Sequence, residues 1–261
     1  MKTIALLRRF LLACLLWLGC GSAWGQVALD ACASAAQNNV SGTSFTSTQF
    51  TVGSASNRAL VVTVAFAGAT SAQTATWDSG GTNQAMSVHS TNGGLTVIFT
   101  LVAPTSGNKT LSVSWTTARA STVDGCAWTG VDQTGGATSF PNSTSATGTY
   151  GTNCAAPLPS VTITSATSDA VMALHGISAA TCTISTMNNT TVYTNATAPA
   201  SGSNRAAGAA SVAMSVTAAS GSATPVWNSA GIDIKAAAGA VGCGSPGAPH
   251  RGSLMLLGVG C

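Results

Sequence analysis

Hydrolytic chemistry needs a nucleophile or a pair of acid–base groups, and this chain offers few of either. It contains no glutamate; its acids are Asp30, Asp78, Asp124, Asp132, Asp169 and Asp233, and its histidines are His89, His175 and His250. Cleaving a glycoside takes two carboxyl groups facing each other across the bond. Asp78 stands beside a Gly-rich turn, and Asp124 and Asp132 flank one strand-like run. At such positions aspartate ordinarily caps backbone amides. A serine hydrolase takes a serine, a histidine base and an orienting acid. The nearest approach to a G-x-S-x-G elbow, Gly176-Ile177-Ser178-Ala179-Ala180, lacks the closing glycine. His175 sits in an apolar run and reads as a hydrogen-bonded core residue, whereas His89, opposite Met86 and Val88, reads as exposed. The histidines do not recur at a metal-ligand spacing. These residues point away from an enzyme.

Binding chemistry has more to work with. Sugars are held by aromatic faces together with amide and hydroxyl hydrogen bonds. Trp115 alternates in phase with Leu111 and Val113, which places it in the core; Trp128 and Trp227 read the same way. Trp77 precedes Asp78 and a Gly-rich turn, and Tyr150 and Tyr193 lie in Thr/Asn-rich stretches. Trp77, Asp78, Tyr150 and Tyr193 are therefore the candidate ligand-binding residues at the surface. Calcium needs clustered oxygen ligands. Asp124 and Asp132 are the weak candidates for it, with no Asp-rich loop to support them, so the reading carries no cofactor. Thr-x-Thr pairs at Thr46/Thr48, Thr74/Thr76, Thr147/Thr149, Thr162/Thr164 and Thr181/Thr183 are irregularly spaced and read as outward strand positions.

Charge and cysteine usage narrow the setting. Of the 261 residues only 6% are charged, against roughly 25% in an ordinary domain. The formal +3 resides in Lys2, Arg8 and Arg9. Those residues open a basic start, followed by the apolar run Leu11–Leu18 and small residues around Ala23-Trp24-Gly25, the pattern of a signal peptide spanning 1–25. A lipoprotein acylated at Cys20 is the rival reading. The remaining chain is neutral, with no basic footprint for nucleic acid, and no later run reaches the ~20 apolar residues of a transmembrane helix. Cys32, Cys126, Cys154, Cys182, Cys243 and Cys261 are an even set in an exported chain and predict disulfides, with the pairing open.

The elements that must position these residues are strands. Leu60–Phe66 and Leu95–Val102 are continuous apolar runs. Leu111/Val113/Trp115, Val161/Ile163, Val212/Met214/Val216 and Ile232/Ile234 alternate with polar or small neighbours, as half-buried strands do. Asp78-Ser79-Gly80-Gly81, Asn92-Gly93-Gly94, Pro104–Asn108 and Gly135-Gly136 supply turns. The Ala-rich stretch Gln26–Asn39 predicts a short helix. An internal echo relates Asn57-Arg58-Ala59-Leu60-Val61 to Ser168-Asp169-Ala170-Val171-Met172, and Trp128…Asp132 to Trp227…Asp233. A duplicated half or two similar strands would each produce it.

Asn57–Val62, Ala75–Asp78, Phe99–Pro104 and Trp128–Gln133 stand in order along the chain. Together they resemble a broad class of secreted bacterial jelly-roll modules of poorly defined function. The likeness implies a fold and carries no catalytic residue across.

The expected architecture is all-β: a jelly-roll-like sandwich of antiparallel strands with Greek-key connections. A signal peptide (1–25), an N-terminal extension (26–43), the sandwich (44–236) and a Gly/Pro/Ala linker with a short apolar tail (237–261) divide the chain. The expected protein is secreted or surface-bound, or periplasmic. It is a non-enzymatic binding or adhesion module for extracellular glycan. The alternative is a structural subunit of a surface layer or fibre. That subunit would self-associate by strand addition through the tail or by cysteine pairing.

Overall fold

In a computed structural model of the chain, the described residues are 26–238 apart from 155, 157, 179–181, 196–199 and 220–224. The expected leader, the segment beyond 238, Cys243 and Cys261 lie outside them. The described chain is nearly all antiparallel strand, as the alternation predicts.

The first sheet comprises β1 (Ala28–Val52), β2 (Ala59–Phe66), β3 (Thr74–Trp77), β4 (Gln84–Ala85), β5 (Ser87–Asn92), β6 (Thr96–Val102) and β7 (Gly107–Thr129). Its order is β4-β3-β7-β2-β6-β5. β1 pairs along nearly the whole of β7, from Ala28 opposite Thr129 to Val52 opposite Gly107, through several bulges. A strand has two edges, so β3 and β2 share the other one: β3 takes Leu111–Ser114 and β2 takes Ser121–Trp128. The segment expected as a short helix, 26–39, is therefore strand from Ala28 onward. Alanine favours helix locally, but tertiary context overrides that preference: the long partner β7 pairs with this segment through a bulged antiparallel ladder that satisfies backbone groups.

Downstream lie β8 (Ser143–Thr149), β9 (Ser160–Ile163), β10 (Ala170–Ile177), β11 (Thr183–Met187), β12 (Thr190–Asn195), β13 (Ala200–Ala207), β14 (Val212–Ala219) and β15 (Val226–Ile234). They form a second sheet, β12-β13-β10-β15-β8, and a third, β11-β14-β9. A single helical turn, α1 (Gly136–Ser139), links β7 to β8.

The continuous apolar runs are explained by burial on two faces. Every residue of β2 and of β10 is buried. Leu60, Val62, Val64 and Phe66 point into a core enclosed by the first sheet alone, with Phe50, Trp77, Phe99, Leu111, Val113 and Trp115. Ala59 and Val61 point the other way, into a seam with Ala170, Met172, Ala230 and Ile232 of the second sheet. Val171 and Ala173 then meet Val161, Ile163, Val212 and Met214 of the third sheet. The sheets thus stack as a sandwich whose first layer curls on itself. At roughly 1.5–3 kcal/mol per fully buried large side chain, these seams dominate the stability.

The internal echo extends to β2 and β10, two all-buried strands that begin at Ala59 and Ala170. It fails at the tryptophans. Trp128 pairs with Ala59, the first residue of β2, whereas Trp227 pairs with Ile177, the last residue of β10.

Two disulfides join Cys32 to Cys126 and Cys154 to Cys182. The first links β1 to its partner strand across directly paired positions. No helix among the described residues is long and apolar enough to cross a membrane.

Candidate functional site

Three of the four expected surface residues are aromatic, and all three are buried. Trp77 is 0% exposed. The alternation of β3 turns Ala75 and Trp77 inward and Thr74 and Thr76 outward. The indole Nε1 donates to the Thr105 carbonyl at 2.9 Å. Tyr150 packs with Ile177, Trp227 and the Cys154–Cys182 bridge, and burial pushes its phenol pKa up. Tyr193 faces Ser203 across the β12–β13 ladder and is buried. Polar flanking sequence made these residues look exposed; packing of the second sheet between two others covers Tyr150 and Tyr193. None of the three offers a stacking face.

Asp78 organises a turn. Its carboxylate accepts from the Thr82 amide at 3.1 Å and the Thr82 hydroxyl at 2.8 Å, and it pairs with Lys109 at 3.6 Å. The Thr82 bonds hold its pKa below the ordinary carboxylate value. Its φ of 54° suits aspartate.

The calcium candidates occupy unlike places. Asp124 is buried in the seam between the first and second sheets, paired with Thr63 of β2 and accepting its hydroxyl. Asp132 lies beyond the end of β7. It accepts the Thr134 amide at 2.7 Å and meets Lys235 at 3.3 Å, and the Thr134 bonds lower its pKa. Five strand residues, roughly 16 Å, separate Asp124 from the strand end alone, so the two do not converge on one ion. Among the described residues no three His, Cys or Asp side chains gather as a metal group.

His175 is buried, as its apolar run predicts. Nδ1 lies 2.8 Å from the Ser229 hydroxyl and Nε2 lies 3.3 Å from Asn204 Oδ1. An amide oxygen only accepts, so Nε2 carries the proton and Nδ1 accepts from Ser229. Burial pulls the imidazole pKa down to about 4. The Ser229–His175 pair is thus a neutral core contact, shielded from any substrate. His89, expected exposed, is half-buried against Phe140, with ring centroids 5.1 Å apart. It is the extra residue of a bulge between Val88 and Ser90, and the bulge turns its side chain inward.

What sequence reading missed is a face. The even-numbered positions of β7 point toward the second sheet at Thr122, Asp124 and Cys126, and toward solvent at Ser112, Ser114 and Thr116. On this uncovered stretch, β1 and β3 flank β7 in register. Ser44, Ser114 and Thr74 form one row; Thr46, Ser112 and Thr76 form the next. Thr74 and Ser114 hydroxyls lie 2.7 Å apart, and beyond them Ser71 and Thr116 hydroxyls lie 2.8 Å apart. Rows repeat at about 6.8 Å along the strands and about 4.8 Å across them. Phe45, Val113, Leu111, Ala75 and Trp77 hold the opposite side of these strands in the core. The result is an uncharged, hydroxyl-bearing surface on a rigid base. Each hydroxyl donates one hydrogen bond and accepts others. These six positions include neither an acid nor a base to activate a hydroxyl as nucleophile. The Thr46 and Thr74/Thr76 pairs were visible in sequence, but only strand register brings them together across Ser112 and Ser114. No protein-family model matches the chain, and no curated protein or solved structure shows significant similarity to it.

Proposed function

We propose that this chain is a secreted, non-enzymatic binding module for extracellular polysaccharide, and that its contact surface is the hydroxyl face of β1, β7 and β3. The observation that carries this reading is the pair of hydroxyl rows, Ser44–Ser114–Thr74 and Thr46–Ser112–Thr76, six neighbouring positions that carry no charged side chain. A polyhydroxylated chain offers donors and acceptors at similar density, so each side satisfies the other. Recognition here is by hydrogen bonding in place of stacking, since the expected aromatic platform is buried. The two disulfides fit an oxidising compartment.

The test is retention of the purified exported chain on insoluble cellulose, chitin and bacterial cell-wall glycan. Retention on at least one is expected, with a more than tenfold loss, about 1.4 kcal/mol, in the Thr46→Glu/Thr74→Glu double variant. Both positions are exposed and lie on strands that flank β7 from opposite sides, so the two charges do not face each other across one strand pair. No retention on any surface, or retention indifferent to the double variant, refutes the reading.

A fibre or surface-layer subunit is the second reading. It is favoured by β1, a 25-residue strand whose sole strand partner among the described residues is β7. Its free edge suits strand addition. Light scattering of the exported chain with and without reductant separates the two: a monomer in both conditions refutes assembly.

A further inference from the structure

The seam between the first and second sheets buries one carboxyl, Asp124, and among the described residues no ion pair reaches it; of the other titratable groups at the seam, Tyr193 is buried and His89 and Arg205 are half-buried. Asp124 is 2% exposed, five residues before the end of β7. Its neighbour on β2 is Thr63, whose hydroxyl donates to it. Its neighbour on β1 is the stretch 33–40, whose sequence holds no titratable residue. Across the seam, β13 presents Ser201 and Ser203, which are fully buried. Ser201 is held 2.6 Å from Thr122, whereas the Ser203 hydroxyl has no hydrogen-bond partner. Arg205 follows one pleat beyond Ser203 on the same side of β13, in a half-buried position. Asp124 forms no ion pair with it or with any other described residue. β12 adds Tyr193 and Asn195 opposite Ser203 and Ser201. β10 adds Leu174 and Gly176; a Cβ built on Gly176 comes within 3.4 Å of the Ala65 methyl of β2, so this side of β10 faces the first sheet.

A carboxylate in such surroundings must be paired, be neutralised, or pull water in. The hydroxyls that surround it serve a neutral acid as well as an anion, because each both donates and accepts.

We propose that the seam between the first and second sheets is a proton-operated latch, held closed by protonated Asp124 and loosened when that carboxyl ionises. Burial pushes the Asp124 pKa up to about 7, with the Thr63 hydroxyl pulling it back only part of the way. In an opened seam the carboxyl is hydrated and returns to its ordinary value near 3.8. The closed state therefore binds the extra proton between those values, and rising pH favours opening. Opening is driven up tenfold per pH unit until the closed-state carboxyl itself ionises. From pH 5.5 to 8.5 the accumulated change is about 30-fold.

The test is amide hydrogen exchange of the exported chain at pH 5.5 and 8.5, corrected for the intrinsic rate. Protection of 59–66, 121–129 and 200–206 is expected to fall about 30-fold relative to 160–163 and 212–216, which pack on the other side of the second sheet. Asp124→Asn, which keeps the shape and cannot ionise, is expected to abolish the difference. Unchanged relative protection in the wild-type chain, or an equal fall in Asp124→Asn, overturns the latch. Carboxyl 13C titrations of aspartate-labelled wild-type and Asp124→Asn protein give a second readout. A midpoint near 7 that is absent from Asp124→Asn is expected; wild-type midpoints all below 5, or a midpoint near 7 that persists in Asp124→Asn, overturns it.

Discussion

Replacing His175 by glutamine separates two buried titrations that act in opposite directions. In the folded chain the imidazole is held neutral, with a pKa of about 4 in place of 6.5. Unfolded chains take up that proton below pH 6.5 and the folded chain does so only near 4. Stability is therefore lost as pH falls between those values, and the loss is complete below 4. The interval from 6.5 to about 4 corresponds to about 3.4 kcal/mol. Asp124 runs the other way. Its folded pKa is raised from 3.8 to about 7, so its contribution is full below 3.8 and is lost as pH rises to 7, about 4 kcal/mol in all. Between pH 4 and 6.5 the two slopes, each about 1.4 kcal/mol per pH unit, offset one another. Asp233 is also raised by burial and by Asp169, and adds to the Asp124 direction in every variant alike. The assay is urea unfolding at half-unit steps from pH 4 to 7. Relative to wild type, the stability of His175→Gln is expected to decline with pH by about 1.4 kcal/mol per unit, and that of Asp124→Asn to climb by the same amount. Parallel curves for all three proteins would show that neither group is held as the burial argument requires.

Packing predicts that two glycines resist replacement. A Cβ on Gly148 falls 2.5 Å from the Trp227 indole, and one on Gly231 falls 2.6 Å from Ile163 Cδ1 and 2.8 Å from its Cγ1. The indole is rigid, and Ile163 is buried, with Val161 3.2 Å from the same Gly231 Cβ, so neither site opens by moving a side-chain tip. Gly148→Ala and Gly231→Ala are each expected to cost about 1–3 kcal/mol, read as thermal midpoints; an unchanged midpoint in either refutes the argument. The disulfides differ in span, 94 residues for Cys32–Cys126 and 28 for Cys154–Cys182. Chain-entropy arithmetic assigns them about 4.7 and about 3.6 kcal/mol. Cys32→Ser/Cys126→Ser is expected to lower the unfolding midpoint in urea more than Cys154→Ser/Cys182→Ser does, and equal effects would contradict that ordering.

Strand identity was legible because alternation is local. Leu111, Val113 and Trp115 announce one buried side of β7 whatever their partners are. The continuous run at 60–66 announces burial on two sides. Exposure of single aromatics was not legible. Trp77 and Tyr150 sit among turn-forming residues, and the same sequences would suit a surface. Whether Tyr150 is covered depends on β10, β11 and β14, whose residues lie far along the chain. The 26–39 segment failed for a related reason: alanine favours helix locally, and pairing with a distant strand overrode that preference.

Sequence by itself determined the all-β class, the turns, the cysteine pairing potential and the poverty of catalytic groups, because composition and a two-residue period need no partner to be read. Only the tertiary structure decided where the hydroxyls gather and where the charge is trapped. Thr46, Ser112 and Thr76 are neighbours solely through the register of three strands. Asp124 and Ser112 occupy the same side of one strand, yet one is sealed and the other faces solvent. The second sheet covers β7 only beyond Ser121, and side-chain chemistry follows from that cover.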